Sequence, residues 1–209
     1  MNIRLAMLFA LTLVVLAHTP VHADSLVDGD VEAGKAKSLT CSACHGQAGN
    51  SVNPLWPNIA GQGAPYVVAQ LRAFKSGLRA NPLMSSQAML LSEEDMRNLA
   101  VYFEDLPAAA AAVADPSTVD RGEALYRGGN EDAGVPACLA CHGPDGRGND
   151  AAKYPALNGQ HAAYTAKQLR DYASNTRQSV DKTRVMQQIA RRLSEEDIVA
   201  LASYVQGLK

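Results

Sequence analysis

The sequence reads C-S-A-C-H-G at Cys41–Gly46 and C-L-A-C-H-G at Cys138–Gly143, with an offset of 97 residues between the two copies. The chain has 209 residues and four cysteines, and these two stretches contain all four. Each copy places two thiols three positions apart and follows the second thiol directly with a histidine. This repetition indicates that the pattern carries chemistry and that the chain is built from two related halves.

The C-x-x-C-H pattern is typical of covalent haem attachment. Two thiols at this spacing can bond to the two vinyl groups of one porphyrin, and the adjacent imidazole is then held where it can bind the iron. We therefore predict two covalently bound haem c groups. The predicted attachment residues are Cys41, Cys44, Cys138 and Cys141, and the predicted proximal iron ligands are His45 and His142.

Three other uses of paired cysteines explain the sequence less well. A disulfide within each pair leaves both of the following histidines unexplained. A zinc site needs a fourth ligand that neither half supplies. A thioredoxin-like redox pair needs a βαβ environment, and the sequence shows no alternating strand pattern of useful length.

The first residues have the features of an export signal. Arg4 provides a positive charge, Leu5–Ala17 is an apolar run of 13 residues, and Val21–Ala23 has the small residues of a cleavage site. We predict a signal peptide over residues 1–23 and a periplasmic location for the mature protein. An uncleaved anchor is the alternative, although the apolar run is shorter than the roughly 20 residues that span a bilayer.

The two halves also match each other outside the cysteine motifs. Residues 62–72 match residues 160–170 at an offset of 98, and residues 91–95 match residues 193–197 at an offset of 102. An alanine run bounded by prolines lies between the halves and predicts a moderately stiff linker. The predicted units are a first domain over residues 24–106, a linker over residues 107–117 and a second domain over residues 118–209.

Helical signals dominate both predicted domains. Ser92 and Ser194 are each followed three residues later by an aspartate, which is an N-cap signature, and apolar residues then recur at helical spacing. The segments around Tyr66 and Tyr164 predict a further helix in each half, and a short helix with a glycine opens each half. We predict an all-α fold with long loops after the cysteine motifs. Aromatic residues make up only 5% of the chain, so the haem would supply much of each core and the apoprotein would be poorly folded.

The second axial ligand follows by elimination. Beyond the predicted signal peptide, His161 is the single histidine outside the two motifs, so two bis-histidine irons are impossible. We predict it to be a surface or capping residue. Met186 is the only methionine of the second half, and the offset of 102 relates it to Met84 in an equivalent loop. We therefore predict Met84 and Met186 as the distal iron ligands.

These ligands indicate electron transfer rather than catalysis. A thioether ligand favours ferrous iron and raises the reduction potential. An iron with two protein ligands can gain and lose an electron, but it has no position at which a substrate can bind. The prediction is therefore an electron carrier and not an enzyme.

The motifs resemble those of the class I c-type cytochromes, and their tandem arrangement resembles the dihaem cytochrome c4 family. The shared stretches are the two C-x-x-C-H motifs, W-P-N-I-A-G-Q at residues 56–62, Y-P-A-L-N-G-Q at residues 154–160, both methionines, and L-S-E-E-D at residues 91–95 and 193–197. The stretch Arg127–Ala137, which lengthens the loop ahead of Cys138, departs from the family pattern.

The resemblance implies roles for several more residues. The carbonyls of Pro57 and Pro155 would accept hydrogen bonds from the proximal imidazoles, which fixes the tautomer and the orientation of a metal-binding histidine. Residues that would line the haem crevices or lie close to the cofactor are Trp56, Tyr154, Tyr66 and Tyr164. The resemblance also implies that the two haems meet near the domain interface.

Charge differs between the halves and suggests different partners for each. Residues 24–114 contain six Lys or Arg and nine Asp or Glu, a net charge of -3, whereas residues 115–209 contain twelve of each. The basic residues near Met186 are Arg177, Lys182, Arg184, Arg191 and Arg192, and the matching stretch of the first half contains Arg79. Such asymmetry orients a protein toward its partners, and the hypothesis is that the two haem edges serve different docking sites.

The function predicted from the sequence is a periplasmic electron shuttle between a quinol-oxidising complex and a terminal oxidase or reductase. One alternative is the haem subunit of a larger dehydrogenase, such as one with a flavoprotein partner, and another is a dihaem peroxidase-type enzyme. We expect a monomer that meets redox proteins and, given its net charge of -2, does not bind nucleic acid. Peripheral association with a membrane is compatible with the sequence.

Overall fold

The computed structural model describes residues 25–180 and 183–209, and the predicted signal peptide lies outside them. The α-helices of these residues are α1 (Val31–Lys37), α2 (Leu39–His45), α3 (Ala64–Ser76), α4 (Pro82–Met89), α5 (Glu93–Asp105), α6 (Val119–Gly128), α7 (Leu139–His142), α8 (Ala162–Ala173), α9 (Val185–Ala190) and α10 (Glu195–Gly207). A 3-10 helix, Pro116–Thr118, precedes α6. The part of the chain described here contains isolated β-bridges but no strand, so the all-α prediction is confirmed. It also contains no helix long and apolar enough to cross a membrane.

The opening and closing helices of each half cross at a glycine. Helix α1 packs on α5, and α6 packs on α10. A Cβ atom at Gly34 would lie 2.0 Å from the carbonyl oxygen of Asn98, and one at Gly122 would lie 2.5 Å from that of Ala200. The backbones therefore approach so closely that only a residue without a side chain fits at either crossing.

The closing helices begin and pack as the sequence predicts. The Ser92 hydroxyl accepts a hydrogen bond from the Asp95 N–H while the Asp95 carboxylate accepts one from the Ser92 N–H, and Ser194 and Asp197 form the same capping box. The apolar residues that these helices bury are Met96, Leu99, Ala100, Phe103, Ile198, Leu201, Ala202 and Val205. These predicted helices are confirmed.

The segments around the two candidate methionine ligands are short helices and not the loops that the sequence suggested. The Asn81 side chain accepts a hydrogen bond from the Met84 N–H at 3.0 Å, and Pro82 occupies the first position of α4, where its missing N–H costs nothing. Helices of eight and six residues are too short to show an apolar period, which is why the prediction of loops was wrong.

The chain between the two halves is fixed to both of them. The Pro107 carbonyl accepts a hydrogen bond from Asn50 Nδ2 at 3.1 Å in the first half, and the Ala112 carbonyl accepts one from Gln206 Nε2 at 2.9 Å in the second. Between these two residues, Ala109 lies against the loop after the second cysteine motif, where a Cβ atom at Gly159 would meet the Ala109 carbonyl at 2.0 Å. This stretch therefore acts as a strap that holds the two halves in one orientation.

The insertion ahead of the second cysteine motif forms a compact turn. Asn130 and Val135 pair as an isolated antiparallel bridge with two backbone hydrogen bonds of 2.8 Å. The Arg192 guanidinium donates to the Gly134 carbonyl at the tip of this turn. The added residues therefore brace the corner between α9 and α10.

Two glycines of helix α6 provide a matched test of the helix crossing. We expect Gly122→Ala to lower the free energy of unfolding of the haem-loaded protein by about 1–3 kcal/mol, because the new methyl group overpacks the contact with α10. At Gly128 a Cβ atom would meet nothing within 4 Å, so Gly128→Ala should leave that free energy unchanged or raise it by up to about 1 kcal/mol. Urea denaturation followed by far-ultraviolet circular dichroism measures both, and equal effects would contradict this account of the crossing.

Candidate haem-attachment sites

The four cysteines lie on two short helical turns. Cys41 and Cys44 lie in α2, whereas Cys138 caps α7 and Cys141 lies within it; all four are half-buried and none forms a disulfide. Burial raises the pKa of the Cys138 thiol to about 11 and also raises the pKa of Cys41. Burial therefore favours the uncharged form of these two thiols, and all four sulfurs lie outside a disulfide and are available to bond to haem vinyl groups.

Each motif histidine ends its helix with the imidazole buried. His45 Nδ1 lies 2.8 Å from the Pro57 carbonyl oxygen, and His142 Nδ1 lies 2.9 Å from that of Pro155. A carbonyl oxygen only accepts hydrogen bonds, so Nδ1 carries the proton and Nε2 carries the lone pair that can bind iron. Burial also lowers the pKa of both imidazoles, which keeps them in the neutral form required of a ligand.

The loops that carry these prolines close in the same way in both halves. Gly49 accepts backbone hydrogen bonds from Ile59 and Ala60, and Gly146 accepts equivalent bonds from Leu157 and Asn158. Both glycines have positive φ angles, 71° and 67°, which a residue with a side chain rarely adopts. The conformation of each loop therefore fixes where the proline carbonyl meets the imidazole.

The two candidate methionine ligands differ in burial from the other two methionines, Met89 and Met96, of the first half. Met96 is fully buried in the core, and Met89 is 61% exposed. Met84 and Met186 are half-buried, on α4 and α9, and these helices pack on the equivalent helices α3 and α8. The structure therefore places the two methionines in matching positions, as the sequence predicts for a pair with one role.

Two arginines from the ligand segments meet at the domain interface, where Arg79 and Arg177 pair as an isolated antiparallel bridge. Arg79 Nη2 donates to the Tyr164 hydroxyl at 2.9 Å, and Arg177 Nη2 donates to the Tyr66 hydroxyl at 2.8 Å. Their exposed fractions are only 9% and 5%. The prediction that these two arginines contribute to a charged docking surface was therefore wrong, because contacts between the halves bury them; Lys182 lies outside the described residues.

Arg79 and Arg177, here called the arginine cluster, carry two buried positive charges that no described acidic side chain balances. In the described ranges 25–180 and 183–209, neither Arg79 nor Arg177 forms an ion pair, and Arg177 Nε is buried without a hydrogen-bond partner. Burial opposes ionisation of Tyr164, yet the two guanidinium groups lower its pKa. Buried charges are normally paired, so this donor set fits the carboxylate groups that haem carries on its propionate side chains.

Three further side chains from the sequence predictions, those of Tyr154, Trp56 and His161, have distinct surroundings. The Tyr154 ring centroid is 6.2 Å from that of His142, which suits a crevice-lining role, and Trp56 is half-buried in the matching position. His161 is the N-cap residue of α8 and its Nε2 lies 2.8 Å from the Ser51 carbonyl oxygen of the first half. It therefore occupies the capping position that the sequence suggested, but its side chain forms no capping hydrogen bond and contacts the other half instead.

Four glutamines, to which the sequence predictions assigned no role, form contacts at the interface. Gln70 and Gln168 accept hydrogen bonds from both arginines, and Gln62 and Gln160 bind the backbone of the opposite half. Each pair is related by the offset of 98 within the repeated segment. Two polar residues retained at the same place in both halves were the available signal.

Comparison with known proteins gives a consistent set of matches. A sequence profile of the family Cytochrome c matches residues 31–107 and 119–209. The chain is 43% identical to "Cytochrome c4" of Pseudomonas aeruginosa over 99% of its own length and 98% of that protein. It is 36% identical to "Thiosulfate dehydrogenase electron acceptor" of Stutzerimonas stutzeri over 80% of its own length and 78% of that protein.

A solved structure matches both halves together. The crystal structure of reduced recombinant cytochrome c4 from Pseudomonas stutzeri superposes with a TM-score of 0.84 at 43% sequence identity. The match covers 87% of this chain and 100% of that one. The arrangement of the two halves therefore agrees with an experimental structure as well as with the sequence repeat.

Removing the thiols of one half tests the attachment sites. We expect the double variant Cys138→Ala/Cys141→Ala to keep one covalent haem per chain and to lose helical circular dichroism from the second half, because its core lacks the macrocycle. The double variant Cys41→Ala/Cys44→Ala is the matched control and should affect the first half in the same way. Intact mass and haem content measure the outcome, and two covalent haems in either variant would contradict the assignment.

Proposed function

Because the chain belongs to the dihaem cytochrome c4 family and carries two covalently bound haem c groups, we propose that it is a periplasmic carrier of single electrons. Its donor is a quinol-oxidising complex, and its acceptor is a terminal oxidase or reductase. The two haem groups are attached at Cys41 and Cys44 in the first half and at Cys138 and Cys141 in the second. The haem supplies the iron that changes oxidation state, and the protein determines what can reach that iron.

The axial ligands carry this proposal. His45 and Met84 would bind the iron of the first half, and His142 and Met186 that of the second. The observation that supports them is the repeated geometry: a buried imidazole with its Nδ1 held by a proline carbonyl, and a half-buried methionine on a matching short helix. An iron held on both sides by protein excludes substrates, and the soft thioether favours the ferrous state.

The interface supports the same function by keeping the two sites in a fixed relation. The strap between the halves, the arginine cluster and the glutamines all form contacts from one half to the other. Rigid surroundings suit a carrier, because polar groups that are already oriented need little rearrangement when an electron arrives. The periplasmic location rests on the predicted signal peptide.

The outer faces of the two halves differ in a way that supports separate docking sites. Met89 and Leu90 are 61% and 77% exposed in the first half. The offset of 102 places Arg191 and Arg192 at the equivalent positions of the second half, and both are exposed. An apolar face and a basic face select partners of different surface chemistry, so donor and acceptor would bind different halves of the molecule.

A second candidate function is supported by the relative named as an electron acceptor of thiosulfate dehydrogenase. In that case the chain would receive electrons from a dehydrogenase that binds it as a haem-containing partner. Mixing the oxidised protein with thiosulfate and a purified thiosulfate dehydrogenase tests this function. Rapid reduction that depends on the dehydrogenase would support it, and a rate equal to that of the sample without dehydrogenase would exclude it.

Methionine variants test whether each iron has two protein ligands. We expect Met84→Leu and Met186→Leu each to remove about half of the weak sulfur-to-iron absorption band of the ferric protein and to open one iron per chain to carbon monoxide in the ferrous state, because each removes one thioether ligand. Met89→Leu is the matched control, since that side chain is exposed and has no role at the iron. Absorption spectra before and after addition of carbon monoxide measure both effects. Rapid binding of carbon monoxide or cyanide by the unaltered protein would overturn the carrier function.

A further inference from the structure

Two buried glutamines, one in each half, form paired hydrogen bonds with the backbone of the opposite half. Gln160 Oε1 accepts a hydrogen bond from the Asn58 N–H at 2.9 Å, and Gln160 Nε2 donates to the Asn58 carbonyl at 2.8 Å. Gln62 forms the same two bonds with Ala156, at 2.9 and 3.1 Å. The offset of 98 relates both the glutamines and the residues that they bind, so the contact repeats about a local twofold relation.

The two residues that the glutamines bind, Asn58 and Ala156, directly follow the prolines that accept hydrogen bonds from the imidazoles. The Pro57 carbonyl and the Asn58 N–H belong to one peptide group, whose resonance couples its oxygen to its nitrogen. The first chain of hydrogen bonds runs from His45 Nδ1–H to the Pro57 carbonyl, and from the Asn58 N–H to Gln160 Oε1. The second runs from His142 through Pro155 and Ala156 to Gln62.

Hydrogen bonds in such a chain strengthen one another. When the glutamine oxygen accepts the peptide N–H, the carbonyl oxygen of the same peptide becomes a better acceptor, an effect of about 10–30% per bond. A stronger bond to Nδ1–H increases the basicity of the second ring nitrogen, the one that can bind a metal. Gln62 and Gln160 are only 7% and 8% exposed, so bulk water does not weaken the effect.

We propose that Gln62 and Gln160 are crossed positioning residues, each of which sets the strength of the imidazole hydrogen bond in the opposite half and thereby the reduction potential of the haem bound there. This inference rests on the proposed ligand roles of His45 and His142. A more basic imidazole stabilises ferric iron, so each glutamine lowers the reduction potential in the other half. The domain interface is therefore part of both redox centres.

Two matched variants of the haem-loaded protein test the crossing. Methionine has nearly the length of glutamine but accepts no comparable hydrogen bond. We expect Gln160→Met to shift the reduction equilibrium of the first-half haem about threefold toward the ferrous state, which is about 30 mV at 59 mV per tenfold change for one electron. Gln62→Met should produce the same shift at the second-half haem, and in each variant the haem of the altered half should move much less.

Nuclear magnetic resonance during a redox titration separates the two haems. The Tyr154 ring centroid lies 6.2 Å from that of His142, so the Tyr154 ring signal should report the oxidation state of the second half. Trp56, the only tryptophan of the chain, is its counterpart at the offset of 98 and should report that of the first half. In the diamagnetic ferrous protein, the Nδ1–H signal of His45 should move upfield in Gln160→Met, and that of His142 should move upfield in Gln62→Met. A glutamine that only held the halves together would not move these signals selectively.

Two further variants serve as controls. Gln168→Met removes the hydrogen bonds that Gln168 accepts from Arg79, across the same interface, and from Arg177. It changes neither chain of hydrogen bonds through Pro57 or Pro155, so both Nδ1–H signals should keep their positions. Gln160→Glu keeps an oxygen acceptor at the same reach, so the first-half potential should stay constant or fall. This variant decides the matter if Gln160→Met does not fold, because a rise in that potential would overturn the proposal.

Three other outcomes would also overturn it: a shift in reduction potential confined to the haem of the altered half, equal shifts at both haems, or unmoved Nδ1–H signals in both methionine variants. These outcomes are separate from a failure of the carrier function, which carbon monoxide binding by the unaltered protein would reveal. A protein that excludes carbon monoxide but shows no crossed shift would remain a carrier without this coupling.

Discussion

The hydrogen bond from each buried imidazole to a proline carbonyl is the contact on which the rest of the structure depends. It ties the helix that bears the thiols to the loop that faces the other half, at 2.8 Å in the first half and 2.9 Å in the second. It fixes the imidazole tautomer, and with it the nitrogen that is free for iron. The positive-φ glycines, Gly49 and Gly146, hold the loop so that this bond can form. A change in the loop would therefore reach the imidazole through one carbonyl.

The interface between the halves is also built from repeated hydrogen bonds. Its hydrogen bonds occur in pairs related by an offset of 98, from the glutamines that bind Asn58 and Ala156 to the arginines that bind Tyr164 and Tyr66. Such reciprocity is the mark of a twofold contact between like units, here retained within one chain. Each arginine also stacks on an aromatic ring of its own half, Phe74 or Tyr172, at 4.5 and 4.6 Å. The two cofactor sites therefore share one buried polar layer.

The features that the sequence predicted well are the local ones. The cysteine motifs, the capping boxes at Ser92 and Ser194 and the apolar faces of α5 and α10 depend on residues within a few positions of each other. The burial of Arg79 and Arg177 could not be predicted in this way, because it results from contacts 85 to 111 positions apart along the chain. The short helices α4 and α9 were missed because they contain too few residues to show a period.

The two halves are alike in their buried contacts but differ in their exposed surfaces. The buried hydrogen bonds are equivalent in the two halves. Neither the imidazole–proline bond nor the interface arginine therefore distinguishes one half from the other. The outer faces do differ, since Met89 and Leu90 of the first half correspond to Arg191 and Arg192 of the second. Apolar contact gives short-range attraction that is insensitive to salt, whereas basic side chains attract an acidic partner over about 10 Å at 0.1 M ionic strength. Two equivalent redox sites behind two unlike surfaces are what a protein needs if it is to receive an electron from one partner and deliver it to another.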